Sequence, residues 1–343
     1  MTAPAPVPVP VPATGTGTSD TPRVLRTDAG LADRIFLAWA RGSGALVLVV
    51  MLSVGGYLAV RASTALRTAG LSFLTVQDWN PDGGHGQFGI AAVITGTVLI
   101  GGIAVCLAVP LALGCALYIS EYAPRGLRRT LVGLVDLMAA VPSVVYGVWG
   151  FVLLQYELAG TARWLSTYLG WIPLLHVDGV DPDDPLTPPL VYTASSLMAG
   201  TVVAFMITPI MCSIMREVFD QAPAAEREGA YALGSTRWGM IRTVVLPFGR
   251  GGIIGGTMLG LGRALGETIT VYLILSMHFE IQPHVLQTGG SAVAPLIALR
   301  YGDSSPFSVS ALMAAGLALF LLTLVVNFAA AAVVARSRSG AGS

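Results

Sequence analysis

Six stretches of this chain, residues 42–60, 90–119, 131–154, 192–215, 251–277 and 307–334, are each long and apolar enough to cross a lipid bilayer. In lipid every backbone N–H and C=O must find its partner within its own segment, so each stretch is predicted to be a helix. The fold class that follows is an all-α polytopic membrane protein with six transmembrane helices. Composition agrees, with 54% hydrophobic and 11% charged residues and a mean hydropathy of +0.72. Pro110, Pro142 and Pro209 fall inside stretches, where neighbouring helices can cover the carbonyls that proline frees.

Arginine placement predicts the direction of insertion. Fourteen arginines fall on the side that holds both termini, and four (Arg61, Arg67, Arg163 and Arg300) fall in the opposite loops. That bias places both termini in the cytoplasm. The acidic run 178–184 then lies outside, with Trp149, Trp164 and Trp171 as anchors near the outer boundary. Residues 1–29, rich in Pro, Thr and Gly, are predicted to be a disordered cytoplasmic tail and not a secretory signal. Residues 30–88 hold a helix over 31–39 expected along the inner surface, the first span and an outer loop. The transmembrane core is predicted over 89–335, and 336–343 form a second cytoplasmic tail.

The net charge is formally zero, so no nucleic-acid partner is expected. All basic residues are arginine. A phosphate-binding loop of the form G-x-x-x-x-G-K-[ST] needs a lysine, so any ATP-driven work must be done by a separate subunit. Cys106, Cys115 and Cys212 lie in apolar stretches and read as small buried hydrophobes. His278, Glu280 and His284 lack tight ligand spacing, so no metal is expected to bind. No nucleophile–base set falls within the spans, so no enzyme is expected either.

Two charges stand inside the fifth stretch, Arg263 and Glu267. A charge at the bilayer centre costs about 2.5–3.5 kcal/mol or more, so the pair is expected to face protein or water. On one continuous helix over 251–277 their i,i+4 spacing puts them on a common face, within reach of each other. Two roles stay open. They form a structural ion pair, or Arg263 meets a passing anion through its planar fork of donors while Glu267 competes for it and permits release. Gly252, Gly256 and Gly260 recur every four residues, which suits close helix contact within the subunit or at a seam with a second one. Asp136 sits only about one and a half turns inside the third stretch and is expected near the inner interface.

The loop over 216–250 is the most specific signal. Residues 224–233 are predicted as a short helix ended by Gly234, with Ser235 or Thr236 capping a second short helix before Pro247. The loop contains Glu228-Gly229-Ala230, then Gly234, then Val244-x-Leu246-Pro247. It resembles the coupling loop of the inner-membrane permeases of ABC importers, whose pattern is E-A-A, three residues, G, nine residues, I-x-L-P. Gly229 and Val244 are mild departures. The resemblance implies that Glu228, Gly229, Ala230, Gly234, Leu246 and Pro247 engage an ATPase subunit.

Three further stretches are Tyr118-Ile119-Ser120-Glu121-Tyr122-Ala123-Pro124-Arg125, the run over 139–150 containing Pro142-Ser143-Val144-Val145-Tyr146-Gly147-Val148-Trp149-Gly150, and the run over 260–268 containing Gly262-Arg263-Ala264-Leu265-Gly266-Glu267-Thr268. Together they resemble the permeases of phosphate-specific ABC importers, most of all the C-type subunit, over residues 88–335. The resemblance implies the type I ABC importer permease fold, a substrate path at Arg263 and Glu267, and no cofactor on this chain. It implies as partners a homologous A-type permease, two ATPase subunits that consume ATP, and an extracytoplasmic phosphate-binding protein. Permeation of another oxyanion such as sulfate or molybdate, or ATP-independent secondary transport, are the competing functions.

Overall fold

The computed structural model describes residues 30–82, 88–181, 184 and 186–338. The tail expected over 1–29 and residues 339–343 of the second tail lie outside the described residues. The chain divides into two units, up to Leu52 and from Ser53. The described part of the first unit is helical from Leu31 onward and opens α1 (Leu31–Ala69). This uninterrupted helix takes in both the segment expected on the membrane surface and the first span.

Five helical segments are long and apolar enough to cross a membrane: Leu31–Leu74, Ala91–Tyr122, Ser196–Asp220, Arg237–Leu265 and Pro306–Ala332. The pair Arg125–Ala140 and Ser143–Leu169, bent by 88°, supplies the sixth crossing when taken as one span. The third stretch was expected to be a single span, and the bend has a local cause. Val141 precedes a proline, which drives it out of the helical region to φ −66°, ψ 129°, so α3 (Arg125–Ala140) ends there. The chain restarts as α4 (Ser143–Trp149) and continues through a π-turn into α5 (Gln155–Leu169). Among the described residues there is no β-strand, only isolated bridges such as Ser195 with Thr288.

In the second unit the central core is built from α2 (Ala91–Leu117), α6 (Ser196–Asp220) and α9 (Leu246–Leu265). Small residues set these contacts, because lipid supplies no hydrophobic drive between helices and close packing must replace it. On α2, Ala104, Ala108, Ala112 and Ala116 repeat every fourth position and are fully buried. On α9, a Cβ added at Gly252 would stand 2.6 Å from Val218, and one at Gly260 would stand 2.5 Å from the Met211 sulfur. The glycine ridge of the fifth span therefore serves a contact inside the subunit, against α6.

A second core joins Ala62, Ala65 and Ala69 of α1 to Ala311, Leu312 and Ala315 of α12 (Pro306–Arg338), with Phe73 and Phe88. The Ser310 hydroxyl donates to the Arg61 carbonyl at 2.7 Å and accepts the Ala65 N–H at 3.1 Å, stitching these two helices together.

The chain after α6 forms α7 (Ala224–Ala232) and then α8 (Arg237–Met240). The second short helix does not stop before Pro247 as expected. It runs through a π-turn (Ile241–Val245) directly into α9, making one span from Arg237 to Leu265. Proline is tolerated at the start of α9 because the wider turn before it already departs from the regular hydrogen-bond ladder.

Candidate functional site

The fifth span is not one helix over 251–277. α9 ends at Leu265, Gly266 takes φ −92°, ψ 0°, and α10 (Ile269–Ile274) begins only after Glu267 and Thr268. Gly262 and Gly266 are weak helix formers, and the β-branched run Thr268-Ile269-Thr270-Val271 adds to the break. Glu267 turns the break into a new start. Its Oε1 accepts the Thr270 N–H at 3.2 Å, as a capping side chain does for the third residue beyond it.

This arrangement corrects the expected i,i+4 pair. With the helix broken between them, Arg263 and Glu267 do not share a helical face, and among the described residues they form no ion pair. Glu267 is 9% exposed and its carboxylate is committed to Thr270. Arg263 is exposed and lies elsewhere, on the wall of an open hollow of about 530 Å³ that Ile210, Gly255, Met258, Leu259, Gly262 and Asn327 also line. Gly255 and Gly262 have open space where a Cβ would be, unlike Gly252 and Gly260. α9 therefore packs its glycine ridge on α6 and offers its other side, with Arg263, to the cavity.

Asn327 escaped sequence reasoning. It lies on α12 and supplies an uncharged amide to the lining that holds Arg263. The signal was available, since it is a side-chain amide inside an apolar stretch, where a polar group is costly without a task.

The break in span five faces the break in span three. Thr270 is fully buried, and its hydroxyl lies 2.9 Å from Glu267 Oε1 and 3.0 Å from the Ser143 carbonyl oxygen. A Cβ at Gly147 would stand 3.0 Å from the Thr270 Cα, and one at Gly150 would stand 2.6 Å from Val202. The run from Pro142 to Gly150 thus reads as a local design. Proline breaks the helix, Ser143 offers a carbonyl to the neighbouring break, and two glycines let α10 and α6 approach.

In the loop between spans four and five, α7 ends in a left-handed cap. Gly234 has φ +83°, its N–H donates to the Tyr231 carbonyl at 2.9 Å, and the Ser235 N–H donates to the Ala230 carbonyl at 3.1 Å. Thr236, not Ser235, caps α8, its Oγ1 accepting the Gly239 N–H at 3.1 Å. Glu228, Gly229 and Gly234 are exposed, Ala230 and Leu246 are half-buried, and Pro247 is exposed. Tyr231, Leu233 and Trp238 add large exposed apolar side chains to the same loop.

Asp136 accepts from the Ser213 hydroxyl at 3.2 Å. His284 pairs with Asp178 at 3.0 Å, while His278 lines a hollow with Glu280. Among the described residues no three His, Cys, Asp or Glu side chains gather as metal ligands.

Residues 108–339 match the family described as the binding-protein-dependent transport system inner membrane component. The chain is 38% identical to phosphate transport system permease protein PstC 2 of Mycobacterium tuberculosis over 90% of this chain and 93% of that protein. It is 37% identical to phosphate transport system permease protein PstC of Xylella fastidiosa, covering 86% and 88%. Among solved structures, a bacterial ABC transporter involved in import of the acidic polysaccharide alginate matches with a TM-score of 0.55. That match covers 89% of this chain and 98% of the other at 17% identity, a likeness of fold.

Proposed function

We propose, from the premise that this chain belongs to the inner-membrane component family of binding-protein-dependent transport systems, that it is the C-type permease subunit of an ATP-driven phosphate importer. The chain is a multi-pass membrane protein with the fold of an ABC importer permease. Relatives named as phosphate permeases align along most of its length, which supports phosphate as the solute.

The observation that carries the reading is Arg263 in its cavity, with no ion-pair partner among the described residues and with Asn327 beside it in the lining. Phosphate presents charged acceptor oxygens, and a guanidinium offers them a fixed fork of donors. At 4 Å the attraction between unit charges is about 4 kcal/mol at an effective dielectric of 20 but about 1 kcal/mol in water. A path that dries around Arg263 in one state and floods it in the other therefore changes its grip enough to bind and release. Release by a competing Glu267 has no geometric support here. Glu267 instead holds the break after α9 through Thr270, so of the two residues Arg263 alone lines the path and Glu267 supports it from behind.

Both termini and the α7 loop lie in the cytoplasm on this reading, in keeping with the arginine bias. Glu228, Gly229, Ala230 and Gly234, on and beside α7, and Leu246 and Pro247 at the root of span five, form the coupling surface. One of two ATPase subunits that consume ATP docks there, a homologous A-type permease completes the path, and a phosphate-binding protein delivers the anion outside.

The test is uptake of labelled phosphate by the assembled complex in vesicles, with sulfate and molybdate as competitors. Competition by unlabelled phosphate alone supports the reading. Equal competition by sulfate or molybdate, or uptake without ATP and ATPase subunits, contradicts it.

A further inference from the structure

The segment Ser120-Glu121-Tyr122 at the end of span two has no place in the solute path, yet it holds the most enclosed ion pair among the described residues. Arg227, on α7, brings Nη1 to 2.9 Å from Glu121 Oε1 and 3.1 Å from Oε2, and the Glu121 side chain is 4% exposed. Its Nη2 donates to the Phe219 carbonyl in the last turn of α6 at 2.6 Å. One guanidinium thus fastens the short helix to two spans at once. The Arg237 guanidinium of α8 lies 5.2 Å above the Tyr122 ring, on the same turn of span two.

By chain connection alone, α7 is tied to α6 before it and to α9 through α8 after it. Its fastening to span two is through space, and Glu121 is the centre of it. We propose that the Glu121–Arg227 ion pair is a strut that makes α7 and the end of span two move as one body. A displacement delivered to α7 then reaches α2 directly, and with it the core that α2 shares with α6 and α9. The proposal rests on the family reading, since it needs an ATPase that acts on α7.

Separating an enclosed pair strands a desolvated charge on each element, whereas moving both together leaves the pair intact. Lysine cannot replace Arg227, because a single ammonium does not reach Glu121 and the Phe219 carbonyl with the geometry of a planar fork.

The experiment uses the assembled transporter in vesicles, with the three native cysteines replaced by serine. The double variant Glu121→Cys/Arg227→Cys is compared before and after joining the two thiols with a bifunctional methanethiosulfonate of ion-pair length. Two quantities are read: the stimulation of ATPase activity by external binding protein, and phosphate moved per ATP. Without the link, both are expected to fall by about five-fold or more relative to the parent, and the link restores them toward the parent.

Arrest of turnover on linking, relieved by reductant, overturns the proposal, because it means that the two residues part during the cycle. Unchanged coupling without the link, or no recovery with it, overturns it as well. Should the double variant fail to assemble, Glu121→Gln is read the same way, with coupling equal to the parent counting against the strut. Stimulation by the binding protein does not depend on how well phosphate itself is moved, so it separates failure of the strut from failure of the phosphate assignment.

Discussion

The Thr270 hydroxyl lies 3.0 Å from the Ser143 carbonyl oxygen, joining the two points at which membrane-crossing helices break. Each break leaves backbone groups without a helical partner, and in an apolar surrounding each such group is costly. Thr270 serves both breaks, and the Glu267 carboxylate holds it in place. Thr270→Val keeps the shape and removes the hydroxyl. It is expected to lower stability by about 0.5–1.5 kcal/mol, the net contribution of one buried hydrogen bond, since the Ser143 carbonyl keeps its bond within α4 and Glu267 keeps the Thr270 N–H. Thermal unfolding in detergent checks this, and Thr270→Ser should stay close to the parent.

The two sides of α9 give opposite expectations. A leucine at Gly252 meets Val218, where even a Cβ has no room, so Gly252→Leu should fail to reach the membrane in normal amount. Gly255→Ala enters open space and should be folded and as stable as the parent or more so, by up to about 1 kcal/mol. Protein level and thermal midpoint together read both variants.

Much of this was legible in the chain itself. Apolar length marked six crossings, Gly234 announced the end of α7, and the cap of α8 was narrowed to Ser235 or Thr236, of which the structure uses Thr236. What stayed hidden was the consequence of local chemistry acting across space. The spacing of Arg263 and Glu267 implied a pair, but that holds only if the helix continues, and Gly266 ends it. A carboxylate that caps the next helix has the same sequence spacing as one that pairs with arginine. Asn327 and the Glu121–Arg227 contact join residues far apart in sequence, which periodicity cannot reveal.

Outside the spans, Asp82 caps the start of α12 through Ser305 and Ser308. Both hydroxyls donate to its carboxylate, and the Ser308 N–H donates to the Ser305 hydroxyl at 3.1 Å. These bonds hold the Asp82 carboxyl below its ordinary value of 3.8, with the Ser305 contribution the larger. A depressed folded value stabilises at pH above the ordinary one, and the benefit is lost as pH falls through the folded value. The parent should therefore lose stability relative to Asp82→Asn on acidification below about pH 4, as read from thermal midpoints across pH 3–7.

The left-handed backbone at Gly234 predicts a coupling defect. Gly234→Val forces a branched side chain into φ +83°, at a cost of roughly 1–2 kcal/mol, and should distort the end of α7 while the spans stay intact. The expected outcome is normal insertion with reduced retention of the ATPase subunit on purification. Full retention would place the coupling surface elsewhere.

On this reading the Arg263 guanidinium handles the anion, and Arg263→Gln removes its charge while keeping an uncharged amide in its place. In vesicles holding the complete transporter, assembled to parental level, labelled phosphate uptake by Arg263→Gln should fall at least about a hundred-fold, the loss of a charge-assisted contact worth ~3 kcal/mol. Glu267→Gln, which keeps an acceptor for Thr270, should retain far more. Phosphate uptake at the parental rate by properly assembled Arg263→Gln protein would contradict the account.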